Sequence, residues 1–464
     1  MLRYTPEQAD ALDHILEVDG ILLIEAGAGT GKTFMAKQFI EHLKPRKALY
    51  TAFNKAIVEE GKEKFKGLPI DSKTFHALAY SYVRPNKIQD LSYREIKEPL
   101  NYSNKRYIIT AIDMFFVSSS TDMYEFFEKH FYEHPKCEFM VETSAKYVNK
   151  MAERDIPMTF NFMLKFLHLA LAGGDTSIDV DLVILDEIND VTAVSLEIFK
   201  LINAPKKIGL GETHQAIYQF LNLVNGFEEL ADVATTMRFT QSYRCGEQIA
   251  LRIQNAMQTH LDPNFKFVGT DEPVKNGKTL FCTNTNSAIV GQIYKRLKES
   301  KGFKLLRDPK EIFAAPLAVS TAAQGKEPYQ KKYHYLVDAF EEYKQENKYK
   351  SFYEYLSKVV NDEEINNAVK LLVQFANQGV NLFEVYKQAK EALVDETFVI
   401  STVFTAKGLE YETVYLSDDI NTYYLKAIRG ELEGQEAITA MRCYYVACSR
   451  AGCNLRNSVL REDV

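Results

Sequence analysis

A chain of 464 residues, 46% apolar and 26% charged, has the balance of a globular protein with several cores, which excludes disorder as its main state. Its 56 Lys plus Arg stand against 63 Asp plus Glu, a formal charge of −7, so bulk charge alone cannot bind nucleic acid, although a local basic groove can. Six scattered cysteines without a Cys-x-x-Cys pair, no apolar leader stretch and no apolar run near the roughly 18 residues of a membrane span predict a soluble, cytoplasmic protein without membrane partners.

The first predicted strand, 20–25, enters Ala26-Gly27-Ala28-Gly29-Thr30-Gly31-Lys32-Thr33 and then a helical pattern carried by Phe34, Lys37, Gln38 and Ile40. Strand, glycine-rich turn and helix in that order form the setting of a phosphate-binding loop. Gly27, Gly29, Thr30 and Gly31 make the cradle, where the missing Cβ atoms of the glycines let backbone N–H groups approach phosphates. Lys32 is expected to reach the β- and γ-phosphates of ATP, and the Thr33 hydroxyl to ligate Mg2+. Ala26 replaces the first glycine of the strict pattern.

A second strand, 47–52, is followed by a helical pattern through Phe65. A third, 181–185, ends in Asp186-Glu187, and a fourth, 207–210, ends in Gly211-Glu212. Apolar strands alternating with helices predict a parallel sheet covered on both faces. Carboxylates at the end of such a strand lie where open α/β sheets bind ligands. Asp186 is expected to hold Mg2+ and Glu187 to orient an attacking water.

From about Tyr80 to Lys165 the rhythm stops, and Tyr124, Phe127 and Phe131 at helical spacing predict the core of an inserted helical subdomain. His130, His134 and Cys137 share a helical spacing there but lack a fourth ligand for a metal site. Strands return at 279–283, 398–403 and 413–416, with a mainly helical stretch between. The expected division is 1–80 with 166–245, a helical insertion 81–165, a second α/β core 246–299 with 394–464, and a helical insertion 300–393. The basic run from Lys326 to Tyr333 reads as a solvated face.

Motifs run in a recognisable order from Tyr4 to Ala451. Thr5-Pro6-Glu7-Gln8, the phosphate loop, Thr51-Ala52-Phe53-Asn54-Lys55, Lys73-Thr74-Phe75-His76 and Asp186-Glu187-Ile188-Asn189-Asp190 resemble the Q motif and motifs I, Ia, Ib and II of superfamily 1 DNA helicases of the UvrD/Rep/PcrA type. Gly211 to Phe220, Gln241-Ser242-Tyr243-Arg244, Thr402 to Glu410 and Arg442 to Ala451 resemble motifs III, IV, V and VI. The chain is also similar to the helicase part of F-box DNA helicases.

The resemblance implies two RecA-like P-loop domains with parallel sheets, each carrying a mainly helical insertion. It implies that Gln8 reads the adenine edge, Tyr243 stacks on adenine and Glu410 accepts from the ribose. Gln215 and Arg244 would face the γ-phosphate, and Arg450 would be the arginine finger. Phe53, Asn54, Thr74, Phe75, His76, Tyr218, Phe220 and Phe404 would face DNA, where stacking on a base is worth roughly 1–3 kcal/mol and reads no sequence. Ile188 and Asn189 depart from the usual Ala-Gln of motif II, Glu212 from the usual Asp of motif III, and Phe404 from the usual His of motif V.

The activity implied is ATP-dependent translocation on single-stranded DNA, 3′-to-5′ by the form of motif III, with unwinding at single-strand/duplex junctions. With Lys32 and Arg450 on different cores, ATP would act as a clamp that opens on hydrolysis. Two alternatives differ in kind: a DNA-stimulated translocase that strips proteins without unwinding, and a nucleotide-gated binding module with silenced hydrolysis. The retained Lys32, Asp186, Glu187, Gln215, Arg244 and Arg450 argue against the second. The compact chain would suit a bacterial or phage-encoded enzyme; protein partners are not specified by the residues.

Overall fold

The computed structural model describes residues 4–17, 20–52, 55–218, 222–346, 348–360 and 362–460. They fall into two compact units, one ending at Gln241 and the other beginning at Ser242.

The first unit is built on six strands in the spatial order Ile70–Thr74, Ala48–Ala52, Leu182–Asp186, Lys206–Gly211, Gly20–Ala26 and Ala234–Phe239. Every pairing in it is parallel. The central strands are continuous apolar runs because both faces are covered. Leu22 and Ile24 join Ala11, Ile15, Met35 and Phe39 on one face, while Leu23, Val183 and Leu185 join Phe75, Phe115 and Phe199 on the other. This is the two-residue alternation of a strand, read out by two different cores.

The second face continues without a break into the inserted helices Tyr102–Val117, Met123–Phe131, Cys137–Ala152 and Phe160–Ala172. Phe127 and Phe131 are fully buried there, but Tyr124 is 51% exposed, so the expected three-residue core stripe has two members. His130 and His134 lie against Tyr107, and among the described residues no group of three or more His, Cys, Asp or Glu could hold an ion. Nor is any described helix long and apolar enough to cross a membrane.

The second unit carries five parallel strands in the order Lys304–Leu305, Phe398–Thr402, Thr279–Thr283, Tyr411–Leu416 and Ala451–Arg456. Its helices from Asn286 to Glu391 gather Ile289, Phe313, Tyr355 and Phe375 into one core that also takes in Ile400 of the sheet.

The sequence reading found the inner strands of both sheets and missed Ile70–Thr74, Ala234–Phe239, Lys304–Leu305 and Ala451–Arg456. All four are edge strands. An edge strand has one hydrogen-bonded neighbour and more solvent contact, so it carries polar residues such as those of Ile-Asp-Ser-Lys-Thr and gives no apolar run to detect.

Candidate active site

Because the first sheet is wholly parallel, the C-terminal ends of its strands lie along one edge, and the sequence motifs of this unit lie at or just beyond that edge. Strand Gly20–Ala26 ends there, and the chain turns through Gly29 (φ 75°) and Gly31 (φ 86°) into helix Lys32–Leu43. Both glycines occupy the left-handed region, which a Cβ would strain. The Thr30 hydroxyl donates to Gly27 O at 2.9 Å and locks the turn. Gly31 caps the helix without any side-chain hydrogen bond, leaving first-turn N–H groups suited to an anion. Gln8 is buried against this loop, its Nε2 donating to Thr30 O at 3.2 Å and its Oε1 accepting from Thr5 N at 3.1 Å.

Asp186 is the last residue of its strand and is 4% exposed. Tyr50 Oη donates to its Oδ2 at 2.5 Å, and the Glu187 N–H to its Oδ1 at 2.9 Å. Glu187 has φ 54°, a costly conformation for a residue with a Cβ. The turn is held by Ile188 N donating to Leu210 O and Asp190 N to Glu187 O, both at 2.9 Å. Lys32 Nζ lies 3.3 Å from Glu187 Oε1. Burial first, and then the neighbouring Glu187 charge, push the Asp186 carboxyl up to about 6, against the pull of Lys32 and the Tyr50 hydrogen bond. A divalent cation would relieve that crowding of negative charge. Hard oxygen donors, one buried carboxylate with a threonine hydroxyl at the start of the phosphate-loop helix, suit Mg2+, which takes few protein ligands and completes its shell with phosphates and water. Asp186 and Thr33 would hold it.

The departures in motif II are accommodated by specific packing. A Cβ on Gly209 or on Gly226 would fall 2.6 Å and 2.4 Å from Ile188 side-chain carbons, and one on Gly211 would fall 3.2 Å from the Ile188 nitrogen. Ile188 thus occupies a socket that larger residues would fill. Asn189 Oδ1 accepts the Glu212 N–H at 2.9 Å, and the Glu212 carboxylate accepts from Gln215 Nε2. The acidic turn and Gln215 are therefore joined by a short chain of buried hydrogen bonds.

The residues expected to face DNA have mixed placements. Thr74 caps helix Phe75–Val83, accepting from Ala77 N at 3.2 Å. Phe75 is 3% exposed and its ring packs in the core on the sheet face. His76 Nε2 lies 3.1 Å from Asn161 Oδ1 and its ring meets Phe160 edge-on. Tyr218 is half-buried just beyond the turn Thr213–Gln215. Phe53, Asn54 and Phe220 lie outside the described residues.

In the second unit, Arg244 and Arg450 converge on Ser449. Arg244 Nη1 donates to Ser449 O at 3.3 Å and Arg450 Nη2 to Ser449 Oγ at 3.0 Å. Arg450 also donates to Val446 O at 2.9 Å and Leu409 O at 3.3 Å. Glu410, expected at a ribose, is here the ion-pair partner of Arg244 at 3.3 Å. Glu410 and Arg450 each precede a strand of the parallel sheet, at its N-terminal edge. Half-buried Phe404 follows strand Phe398–Thr402 at the opposite edge. Tyr243 is 47% exposed.

Sequence reasoning missed Tyr50, whose signal was a tyrosine hydroxyl in a fully buried strand that neighbours the acidic turn's. It also missed the Asn189–Glu212 link, which no spacing rule exposes.

Residues 8–221 match the family model of an AAA domain, and residues 175–462 match that of the UvrD-like helicase C-terminal domain. The chain belongs to the UvrD-like helicases. Its two α/β units are the RecA-like domains of that family. Among relatives, the chain is 25% identical to F-box DNA helicase 1 of Gallus gallus over 90% of its own length and 45% of the relative's. It is 22% identical to F-box DNA helicase protein 1 of Schizosaccharomyces pombe over 96% and 56%. The UvrD-like chain thus spans about half the length of the curated relatives it matches.

Proposed function

We propose that the chain is an ATP-hydrolysing DNA helicase that moves 3′-to-5′ along single-stranded DNA and separates strands at single-strand/duplex junctions. The observation that carries this reading is the grouping of Lys32, Asp186 and Glu187 beside an uncapped helix N-terminus in a UvrD-like chain. Lys32 neutralises phosphate charge, Glu187 takes a proton from the attacking water, and Gln215, Arg244 and Arg450 respond to the γ-phosphate. Mg2+, when bound, supplies charge neutralisation between the phosphates. Gln8, Tyr243 and Glu410 select the nucleoside, and Thr74, His76, Tyr218 and Phe404 contact the strand. The stretches 81–165 and 300–393 act as accessory insertions of the two RecA-like domains.

Tailed duplexes test the proposal. ATPase activity stimulated by single strands, with unwinding of 3′-tailed but not 5′-tailed duplex, is expected. Stimulation without unwinding of either would replace helicase by translocase, and loss of hydrolysis in the parent chain would remove both.

A further inference from the structure

Tyr50 lies in a strand neighbouring Asp186's and belongs to none of the motifs. Its ring is fully buried and fixed from two sides. Phe65 meets it edge-on with centroids 4.9 Å apart, and a Cβ on Gly61 would fall 2.8 Å from Tyr50 Cε1. The register pairs Ala52 with Asp186, so a tyrosine two residues earlier reaches up the sheet to the carboxylate instead of packing across it. Its hydroxyl donates to Oδ2 at 2.5 Å while the Glu187 N–H donates to Oδ1 at 2.9 Å. With one donor on each oxygen, the carboxylate plane is fixed and each oxygen keeps a lone pair for a ligand.

We propose that Tyr50 is a positioning residue that orients the Asp186 carboxylate for the divalent cation accompanying ATP. The role rests on the hydrolase reading above and deepens it. Outer-shell donors of this kind fix the ligand oxygens before the ion arrives, and their loss costs roughly 10- to 100-fold in metal affinity. Gly61 has a part in the same device, because its missing side chain is the space the ring occupies.

The test uses the full chain, a non-hydrolysable ATP analogue and Mn2+ followed by electron paramagnetic resonance. Tyr50→Phe keeps every ring contact and is expected to bind Mn2+ roughly 10- to 100-fold more weakly, with analogue affinity in EDTA unchanged. Gly61→Ala, which displaces the ring, should move affinity in the same direction and decides the matter if Tyr50→Phe does not fold. In an Asp186→Asn background, already weak, Tyr50→Phe should add nothing. Parental Mn2+ affinity in Tyr50→Phe, or an equal further loss in the Asp186→Asn background, overturns the role of Tyr50. A parent that binds no Mn2+ with the analogue overturns the hydrolase reading and the role together.

Discussion

Lys32 Nζ stands 3.3 Å from Glu187 Oε1, so the cation expected to meet phosphate is paired with the carboxylate expected to act as base. Phosphate binding must compete with that pair. Glu187→Gln removes both the competition and the base, so nucleotide should bind at least as tightly while turnover falls by about 10² to 10⁴. Fluorescent-analogue titration beside steady-state hydrolysis checks this; parental turnover would refute the assignment. Lys32→Ala should lose nucleotide affinity as well.

Arg450→Lys separates charge from geometry. Lysine keeps the positive charge but cannot reproduce a guanidinium that donates to Val446 O, Leu409 O and Ser449 Oγ. Turnover should fall by about 10³ to 10⁵ if a finger is lost, with ATP affinity held. Stability should also drop by about 1–3 kcal/mol for each buried acceptor left unpaired, read from denaturant midpoints without nucleotide.

The Asn189–Glu212 link predicts a split between stability and catalysis. Asn189→Ala leaves the buried Glu212 N–H without its acceptor, costing about 1–3 kcal/mol. Glu212→Ala releases Gln215 from its partner, and kcat should fall at unchanged ATP affinity, with partial return in Glu212→Asp. Equal kcat in parent and Glu212→Ala would deny Gln215 any dependence on this bond.

The socket around Ile188 can be tested by exchange of volume. Gly226→Ala places a Cβ 2.4 Å from the Ile188 side chain, an overpacking expected to cost about 1–3 kcal/mol. Adding Ile188→Ala should restore part of that loss, since the two changes share one space. Simple additivity in thermal unfolding would place the strain elsewhere.

Lys165 gives a dependence on pH. It is 2% exposed, with Nζ donating to Ser118 O at 2.7 Å and Ser120 O at 2.8 Å, and burial pushes its pKa from 10.5 down to about 7. Between those values the unfolded chain holds a proton that the folded one lacks, so stability contributed by this site rises with pH through the window. Below about 7 lysine is charged in both states and the full cost of burying it is present. Parent should gain on Lys165→Met by roughly 1 kcal/mol per pH unit from pH 7.5 to 9.5. Parallel stability curves would refute this.

The phosphate loop and acidic turn were legible in the sequence because their signals are local: glycine spacing after an apolar run, and two carboxylates at a strand's end. Tyr50 was not legible as a partner of Asp186, since 136 residues separate them and only sheet order makes them neighbours. The edge strands escaped because their chemistry is that of a surface. The burial of Phe75 was not legible, because a motif places a residue along the chain, whereas the helical turn that follows decides which way its ring goes.

The core behind the first sheet takes in Leu23 and Val183 of the strands together with Phe115, Phe127 and Phe131 of the inserted helices. Those helices are therefore not a module that could be excised or grafted elsewhere. Cutting them away would expose much of that shared core to solvent, so the strands carrying the acidic turn and the helices far from it should melt cooperatively, as a single foldon.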